Sequence, residues 1–283
     1  MIDADALAPS LDQLSAKNFK RLAELIQDYS GIKMPASKQT MLEGRLRRRM
    51  RLHRIANLDA YCRYLFDENG LDGEMVHLID AVTTNKTEFF REPAHFEFLK
   101  TRGLPALAET GRGKIKVWSS ACSTGAEPYT LAMVLEENRR LGGRQDYSIF
   151  CTDLCTQVLG QAVAGIYSEA TIEPVAGDLR QRYLMRGHGG RHGQVRVVPE
   201  LRSKLTFARV NLMDDTYPAD QDMDLLFCRN LLIYFDKETQ AKVLTKLCRH
   251  LRPGGYLFLG HSESIVGIDL PVVQIANTVF QRR

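Results

Sequence analysis

The sequence predicts an α/β protein that has a mostly parallel β-sheet and a separate all-α unit at its N-terminus. From Lys114 onward, strand patterns alternate with helix patterns, which is typical of βαβ units whose sheet is covered on both faces. Before Pro93 the hydrophobic periodicity is helical. A length of 283 residues, at roughly 150 per domain, agrees with two such parts.

The N-terminal unit is predicted to contain four short amphipathic helices. Ser15 suits the N-cap of the first helix and Gly31 its end, because serine accepts from free backbone N–H groups and glycine tolerates a left-handed backbone. The expected helices are Ser15–Gly31, about Ser37–His53, one that begins after Asn57, and about Gly73–Val82. Short helices joined by short loops indicate an all-α unit of about 80 residues.

Shorter hydrophobic patterns predict the α/β part. Strands are expected at Lys114–Ser119, Tyr147–Cys151, Met223–Phe227 and Gly255–Gly260, helices at Glu127–Asn138 and Lys237–Leu251, and closing strands within residues 272–280. A glycine-rich turn between apolar runs near Tyr183 and Val195 predicts a small antiparallel hairpin. We expect this hairpin to be an insertion at about residues 180–204.

These patterns divide the chain into three segments, with no internal repeat or low-complexity stretch between them. Residues 1–14 are predicted to be a flexible tail. Residues 15–84 are the predicted all-α domain, and residues 85–283 are the predicted α/β domain that contains the insertion.

Composition excludes several classes of protein. Hydrophobic residues make up 44% and charged residues 25%, which is ordinary for a folded chain and excludes disorder. No apolar run reaches the roughly 18 residues that span a bilayer, and the first residues lack the basic and apolar regions of a signal peptide. The six cysteines form no C-x-x-C motif, so we expect free thiols, no disulfide and no metal. These features predict a cytoplasmic protein.

The positive charge of the chain is concentrated in one segment. Residues 38–54 carry seven basic side chains and one acid, a local charge of +6, so the remainder of a chain of net charge +4 carries −2. Arg47, Arg51 and Arg54 recur at helical spacing, with Arg48 beside them. The pattern fits a merely solvated helix face, but we favour docking of an acidic partner on these four arginines.

Three predicted strands end in residues suited to a small-molecule ligand, since ligands of parallel sheets bind at the carboxyl ends of strands. Small residues from Ser119 to Gly125 allow a ligand to lie near the backbone. The segment contains only one glycine and is not a G-x-G-x-x-G motif, so a loop that binds pyrophosphate is less expected. Asp153 closes the second strand, where a carboxylate accepts ribose hydroxyls or caps the next helix. After the third strand, Tyr234 fits either a functional or a core role.

The C-terminal part of the sequence indicates a more specific fold class. A helix, the turn Pro253–Gly255 and an apolar strand through Leu259 resemble the corresponding part of S-adenosylmethionine-dependent methyltransferases. Together with Asp153, this resemblance implies a class I methyltransferase: a Rossmann-like, seven-stranded, mostly parallel sheet with a small antiparallel β insertion and an all-α N-terminal domain.

Five ordered motifs resemble the CheR-type methyltransferases of bacterial chemotaxis, and the resemblance covers nearly the whole chain after residue 15. The motifs are Thr84–Glu92, Ala121–Tyr129, Thr152–Leu154, Arg229–Asn230 with Ile233–Phe235, and Gly255–Ser264. Members of this family transfer a methyl group from S-adenosylmethionine to glutamate side chains of chemoreceptors. The resemblance therefore implies glutamate methyl esters and S-adenosylhomocysteine as products and cytoplasmic receptor helices as partners.

The resemblance also implies roles for individual residues. Those expected to bind the cofactor are Asn85, Thr87, Arg91 and Glu127 around its methionine end, Asp153 at the ribose, Asn211 and Leu212 at the adenine, and Arg229 and Asn230 completing the pocket. As catalytic residues, Arg91 is expected to anchor a carboxylate and Tyr234 to orient the acceptor, neither acting as acid or base. The spacing of Gly187, Gly189 and Gly193 resembles members whose insertion docks a receptor C-terminal peptide.

Two other interpretations stay open. Arginine-rich segments also suit phosphates, so a nucleic-acid methyltransferase is one alternative, although no N-P-P-Y-type motif follows the fourth strand of the predicted sheet. A non-catalytic cofactor-binding adaptor is the other. We expect no nucleic-acid partner, no direct membrane insertion, and a monomer that is recruited from the cytoplasm to membrane receptor arrays.

Overall fold

The computed structural model describes residues 12–283, which belong to two compact units. The boundary lies between Thr83 and Thr84, so that unit 1 contains the described residues 12–83 and unit 2 contains residues 84–283. Within the described range, every helix is too short or too polar to cross a membrane.

Residues 12–83 of unit 1 form four α-helices. They are α1 (Ala16–Ser30), α2 (Gln39–Leu52), α3 (Leu58–Asp67) and α4 (Leu71–Val82), with a 3₁₀ turn at Ala36–Lys38. The caps of α1 confirm the sequence prediction, because the Ser15 hydroxyl accepts from the Asn18 N–H and Gly31 ends the helix at φ 75°. Leu22 and Ile26 of α1 are fully buried, so this helix presents its apolar face to the core of the unit.

The predicted flexible tail, residues 1–14, lies outside the described residues except for its last three. Two of those three, Asp12 and Leu14, differ from the expectation because they are bonded to the helices of unit 1. The side chain of Leu14 is buried, and its N–H donates to Glu43 Oε1 at 3.0 Å. The Asp12 carboxylate accepts from the Leu58 N–H at 2.7 Å. The packed part of unit 1 therefore includes residues ahead of its first helix.

Unit 2 contains two β-sheets and the helices that join their strands. The strands are β1 (Lys114–Ser119), β2 (Asp146–Asp153), β3 (Ile166–Ser168), β4 (Leu184–Arg186), β5 (Gln194–Val197), β6 (Leu205–Arg209), β7 (Met223–Cys228), β8 (Leu251–Leu259), β9 (Val272–Ala276) and β10 (Val279–Arg282). The α-helices are α5 (Pro93–Phe98), α6 (Leu104–Glu109), α7 (Ala126–Arg140), α8 (Thr156–Ala164), α9 (Gly177–Tyr183), α10 (Pro199–Arg202) and α11 (Lys237–His250).

The larger sheet has seven strands in the order β6-β2-β1-β7-β8-β10-β9. The strands from β6 to β8 pair in parallel, whereas β10 is antiparallel to both of its neighbours. The predicted class I methyltransferase fold, with its mostly parallel sheet of seven strands, is confirmed. The strand order reverses between β1 and β7, and ligands of open α/β sheets bind at such a reversal.

The core of unit 2 explains why its central strands consist of unbroken hydrophobic runs. All six residues of β7 are buried, since helices cover both faces of a parallel sheet. Phe227 of β7 and Phe258 of β8 stack with ring centroids 4.2 Å apart. This packing gives the strand ends, where the polar residues lie, a rigid base.

The smaller sheet has three antiparallel strands in the order β3-β5-β4. Strands β4 and β5 are the predicted hairpin, so the predicted small antiparallel insertion is confirmed. The third strand, Ile166–Ser168, lies ahead of the predicted limits of 180–204. A strand of three residues is too short for alternation to reveal it.

Candidate active site

The carboxyl ends of β1, β2 and β7 lie side by side in the larger sheet. Ser119 at the end of β1 is paired with Cys151 of β2 and with Phe227 of β7. The Ser120 N–H donates to the Phe227 carbonyl at 2.9 Å, which joins the loop after β1 to β7. The loops that carry most of the predicted site residues therefore meet at one edge of the sheet, at the reversal of strand order.

Asp153 is the last residue of β2, and backbone donors hold its carboxylate. Oδ2 accepts from the Ser123 N–H at 2.8 Å, and Oδ1 accepts from the Cys155 N–H at 3.0 Å. A carboxylate has room for about four hydrogen bonds, so this anchoring is compatible with a ribose ligand. The bond to Cys155, just ahead of α8, also agrees with the structural alternative of a helix-capping aspartate.

Asn211 and Leu212 lie beside Asp153. Strand β6 runs parallel to β2 with Arg209 opposite Asp153, and the Val210 N–H donates to the Asp153 carbonyl at 3.1 Å. Leu212 is buried. The residues expected at the ribose and at the adenine are therefore neighbours at the ends of two adjacent strands.

The loop between β1 and α7 contains two residues in the left-handed region, Ser123 at φ 49° and Gly125 at φ 92°. The predicted reason for small residues here is a ligand close to the backbone. At Gly125 the structure gives another reason, because a Cβ there would lie 2.8 Å from Tyr167 Oη and 3.0 Å from Ala162 Cβ. The packing of α8 and β3 against the loop requires this glycine.

Arg229 is buried at the end of β7 and is bonded to other groups of the protein. Nη1 donates to Glu127 Oε2 and Nη2 to Glu92 Oε2, both at 3.0 Å. Nη2 also donates to the backbone carbonyl of Arg91. The guanidinium thus joins three segments of the site and fixes the backbone of Arg91. Direct contact of Arg229 with a cofactor stays a prediction.

The pKa values of the two carboxylates beside Arg229 are shifted in opposite directions. Burial raises the pKa of Glu127 and outweighs the Arg229 charge and the hydrogen bond that Ser119 Oγ donates at 2.7 Å. Burial also acts to raise the pKa of Glu92, but the Asn230 amide and the Arg229 charge outweigh it and hold that pKa at about 2. Glu92 is therefore ionised at neutral pH. Its structural role is missed by the sequence prediction, since only its place in a motif marks it.

Asn85, Thr87 and Arg91 lie on the segment that leads into α5. The Asn85 carbonyl accepts from Ser123 Oγ at 2.8 Å, so Asn85 is next to the loop that holds Asp153. Arg91 Nη1 donates to the Lys86 carbonyl at 3.0 Å, and Thr87 lies inside the turn that this bond closes. The structure places these three residues along the same edge of the sheet as Asp153, and their roles stay predictions.

The turn after β7 carries Asn230 and Tyr234. Asn230 has φ 58°, a strained value for a residue with a side chain, and Tyr234 is half-buried at the end of a 3₁₀ turn. The carboxylate of Glu263 holds the backbone of this turn. Glu263 is the second residue whose role the sequence prediction misses, although it lies in the last of the five motifs.

Among residues 12–283, one group of side chains is close enough to share a metal ion: Glu92, His95 and His261, with ligand atoms within 4.8 Å of one another. His95 Nδ1 is buried there without a hydrogen-bond partner. The Glu92 carboxylate already faces the guanidinium of Arg229, and that positive charge opposes a metal cation at the same oxygen. The expectation that the chain uses no metal stays a prediction.

The predicted docking arginines of unit 1 do not all face solvent. Arg48, Arg51 and Arg54 are exposed, and we call these three the basic cluster. The side chain of Arg47 is only 19% exposed, because residues ahead of α1 pack against it and it donates to the Asp12 carbonyl at 2.6 Å. Arg54 lies beyond the end of α2 at φ 56°. The expected helical stripe of Arg47, Arg51 and Arg54, with Arg48 beside it, is therefore corrected to this cluster of three.

Gly187, Gly189 and Gly193 belong to the connection between β4 and β5. Gly189 and Gly193 have φ of 57° and 79°, and a Cβ on Gly187 would collide with the Arg191 carbonyl. The turn itself therefore requires glycine at these positions. Docking of a receptor peptide on this turn stays a prediction.

Comparison with known proteins places both units in one family. Residues 85–280 match the family model described as "CheR methyltransferase, SAM binding domain", and residues 17–83 match "CheR methyltransferase, all-alpha domain". The "Chemotaxis protein methyltransferase" of Salmonella typhimurium is 40% identical over 257 residues, covering 89% of this chain and 85% of the relative. That of Escherichia coli is 37% identical over 271 residues, covering 94% and 91%.

Some solved structures share the fold at low sequence identity. A SAM-dependent methyltransferase from Methanosarcina mazei is 16% identical with a TM-score of 0.32, covering 55% of this chain and 56% of that chain. This likeness is too low to support an argument about function, so the assignment depends on the family models and the sequence relatives.

Proposed function

Because the chain belongs to the CheR family of chemotaxis methyltransferases, which use S-adenosylmethionine, we propose that it methylates glutamate side chains of chemoreceptors to give glutamate methyl esters. The observation that carries the proposal is the convergence of Asp153, Asn85 and Leu212 on one edge of the sheet at the reversal of strand order. The proposed products are the ester and S-adenosylhomocysteine.

The residues at this edge fit S-adenosylmethionine. Asp153 offers an anchored carboxylate for ribose hydroxyls, and Leu212 with Asn211 offers an apolar side chain and an amide for an adenine ring. When bound, the cofactor supplies a methyl group on a positively charged sulfur. Around its methionine end we place Asn85, Thr87, Arg91 and Glu127, with Arg229 and Asn230 completing the pocket.

A glutamate acceptor needs no general base from the protein. The side chain of a solvated glutamate has a pKa of about 4.3, so it is already a carboxylate at pH 7. Charge is lost from both partners as the methyl group moves, so strong stabilisation of the carboxylate would slow the reaction. The contribution of the protein is alignment and exclusion of water. Glu127, whose carboxylate is bonded to Ser119 Oγ and to Arg229, is accordingly not assigned as a base.

Arg91 and Tyr234 are the residues that we propose for this alignment. The Arg91 guanidinium suits the carboxylate of the cofactor or of the acceptor, because its planar donors match a carboxylate bidentately. Arg229 and the Lys86 carbonyl hold Arg91 from two sides. Tyr234 ends the turn after β7 and would orient the incoming glutamate through its hydroxyl.

The basic cluster of unit 1 is the proposed contact for acidic receptor helices. Within the described range, no salt bridge to Asp or Glu involves Arg48, Arg51 or Arg54. Exposed charges without partners are available to a partner of opposite sign. Arg47 contributes less than expected, since its side chain is packed inside unit 1.

The remaining expectations about partners belong to the same proposal. Receptor binding would bring a monomeric enzyme from the cytoplasm to the membrane arrays, with the turn of Gly187, Gly189 and Gly193 docking a receptor tail. We propose no nucleic-acid partner, because the family relatives bear chemotaxis names.

Transfer of a labelled methyl group tests the proposal. The full chain is incubated with labelled S-adenosylmethionine and a receptor cytoplasmic fragment, and the product is treated with mild alkali. Label released as methanol supports a carboxyl ester. Label that survives alkali would contradict the glutamate assignment and favour nitrogen methylation, and no transfer to any of a panel of receptors would favour the non-catalytic adaptor.

A further inference from the structure

Glu263 is a buried carboxylate whose hydrogen bonds all come from backbone amides. Oε1 accepts the N–H groups of Leu231 at 2.8 Å and Leu232 at 2.6 Å. Oε2 accepts those of Asn230 at 2.9 Å and Gly260 at 2.6 Å. Three of these donors lie in the turn after β7 and one lies directly after β8. The carboxylate therefore ties together the ends of two neighbouring parallel strands.

The charge of Glu263 is balanced without a cation. Its side chain is 6% exposed, and among residues 12–283 no lysine, arginine or histidine forms a salt bridge with it. Burial raises the pKa of Glu263, whereas the four backbone N–H groups that donate to its two oxygens act against that rise and favour the carboxylate form. A glutamine cannot replace this arrangement, because its NH₂ group would face two backbone N–H donors in place of accepting from them.

The turn that Glu263 holds is strained and tightly packed. Asn230 has φ 58°, and a Cβ on Gly260 would lie 2.4 Å from Asn230 Nδ2. The Asn230 side chain donates to Glu92 Oε1 at 3.1 Å, so one glutamate holds the backbone of this residue and another holds its side chain. Backbone strain of this kind persists only where the surroundings impose it.

The held turn connects the main groups of the site. Arg229 precedes it and fixes the Arg91 carbonyl, whereas Tyr234 ends the 3₁₀ turn that begins at Leu232, one of the residues bonded to Glu263. A shift of the turn would move Arg229 and Tyr234 together. An error of about 1 Å in such positions costs on the order of 100-fold in rate.

We propose that Glu263 is a positioning residue for methyl transfer: it holds the backbone of the turn Asn230–Leu232, so that Asn230 and Tyr234 are presented correctly to cofactor and acceptor. Glu263 touches neither reactant and acts only through the turn. This inference rests on the proposed function.

The substitution Glu263→Gln tests the clamp. We expect kcat for receptor methylation to fall by about 10- to 100-fold, with KM for the receptor changed less than threefold, because the basic cluster that docks the receptor is in the other unit. Glu263→Asp keeps the charge and is expected to recover part of kcat. If the kcat of Glu263→Gln equals that of the wild-type chain, the inference is overturned. Failure of the wild-type chain to form methyl esters would instead overturn the proposed function.

A matched control separates positioning from stability. Asp224 is a buried carboxylate near the opposite end of β7, where Arg252 Nε and the Lys116 N–H donate to it. We expect Asp224→Asn to lower the melting temperature and to leave kcat of the folded enzyme unchanged. An equal fall of kcat in both variants would reduce the Glu263 effect to stability and overturn the inference.

Hydrogen exchange of the wild-type chain tests the clamp without any variant. The amides of Asn230, Leu231 and Leu232 lie in a turn but are each bonded to the Glu263 carboxylate. We expect these amides to be protected like those of β8. Exchange at the rate of an open loop would overturn the inference, even if the substituted chains failed to fold.

Discussion

Among single residues, Asp153 gives the most direct test of the binding edge. Hydrogen bonds to a charged group contribute roughly 1.5–3 kcal/mol each, and two ribose hydroxyls are expected to bond to this carboxylate. We predict that Asp153→Ala weakens S-adenosylhomocysteine binding by at least about 10-fold in calorimetry. Unchanged affinity would remove Asp153 from the cofactor site.

The control for this prediction is again Asp224→Asn, which also removes a buried carboxylate of unit 2. Because Asp153 accepts two backbone N–H groups, its loss also loosens the loop that contains Ser123. If the two variants have equal melting temperatures and only Asp153→Ala binds S-adenosylhomocysteine more weakly, the effect is loss of the ligand contact and not general destabilisation.

A second prediction for a single residue concerns Arg91, which we propose aligns a carboxylate for methyl transfer. Its side chain is half-buried and bonds to the Lys86 carbonyl, while its backbone is held by Arg229. We predict that Arg91→Ala lowers kcat/KM for methylation by at least about 100-fold and lowers the melting temperature by only a few degrees. A variant with normal methylation rates would contradict the catalytic role.

At the scale of elements, the buried carboxylate of Glu74 connects α2, the helix that carries Arg48 and Arg51, to α3 and α4. Glu74 of α4 accepts from Arg49 Nε at 2.5 Å, from Arg49 Nη2 at 2.7 Å and from Tyr61 Oη at 2.8 Å. Burial acts to raise the pKa of Glu74, but these bonds and one to His53 outweigh it and hold the pKa at about 2. Arg49 therefore fixes the helix that carries Arg48 and Arg51, although its own charge is neutralised.

This depressed pKa makes a prediction about stability and pH. The carboxylate contributes about 3 kcal/mol of folding free energy above the ordinary glutamate pKa of 4.5, and the contribution is lost as pH falls towards 2. Denaturant unfolding of the full chain is expected to show Glu74→Gln less stable than wild type at pH 7, with the difference shrinking below pH 4.5. A difference that does not vary between pH 7 and pH 3 would contradict this account.

Charge reversal tests the basic cluster as one surface. We predict that Arg51→Glu with Arg54→Glu lowers kcat/KM for a receptor fragment by about 10-fold at low salt, and that the loss shrinks at 500 mM salt, where the Debye length is only a few ångströms. The matched control reverses two other exposed charges of unit 1, Lys20 and Lys33, with the same change in net charge. Equal losses in both double variants would show a general charge effect without a specific surface.

Elements with clear periodicity could be predicted from sequence, and short or irregular ones could not. The helix α1, with its Ser15 and Gly31 caps, and the strand Lys114–Ser119 follow local rules that the sequence displays directly. Strand β3 has three residues and pairs with a strand far along the chain, so no local pattern marks it. Helical spacing alone predicts an exposed Arg47, because spacing contains no information about the segment that packs over this side chain.

In the candidate site as well, some residues could be predicted from the sequence and others could not. Asp153 could be found because an acid at the end of a strand has a known role, and the resemblance supplied Arg91 and Tyr234. The positioning roles of Glu92 and Glu263 depend on partners 137 and 33 residues distant, Arg229 and Asn230. Such contacts are made by the fold, so sequence spacing alone does not reveal them.

For the whole molecule, the proposed methyl acceptor is a glutamate carboxylate of a chemoreceptor. The most direct measurement is mass mapping of peptides from a receptor cytoplasmic fragment after incubation with the full chain and S-adenosylmethionine. We predict that the added methyl groups lie on glutamate side chains, disappear after mild alkali, and are absent when Arg91→Ala replaces the wild-type enzyme. Methyl groups found on lysine or arginine side chains, and stable to alkali, would contradict the proposed glutamate acceptor.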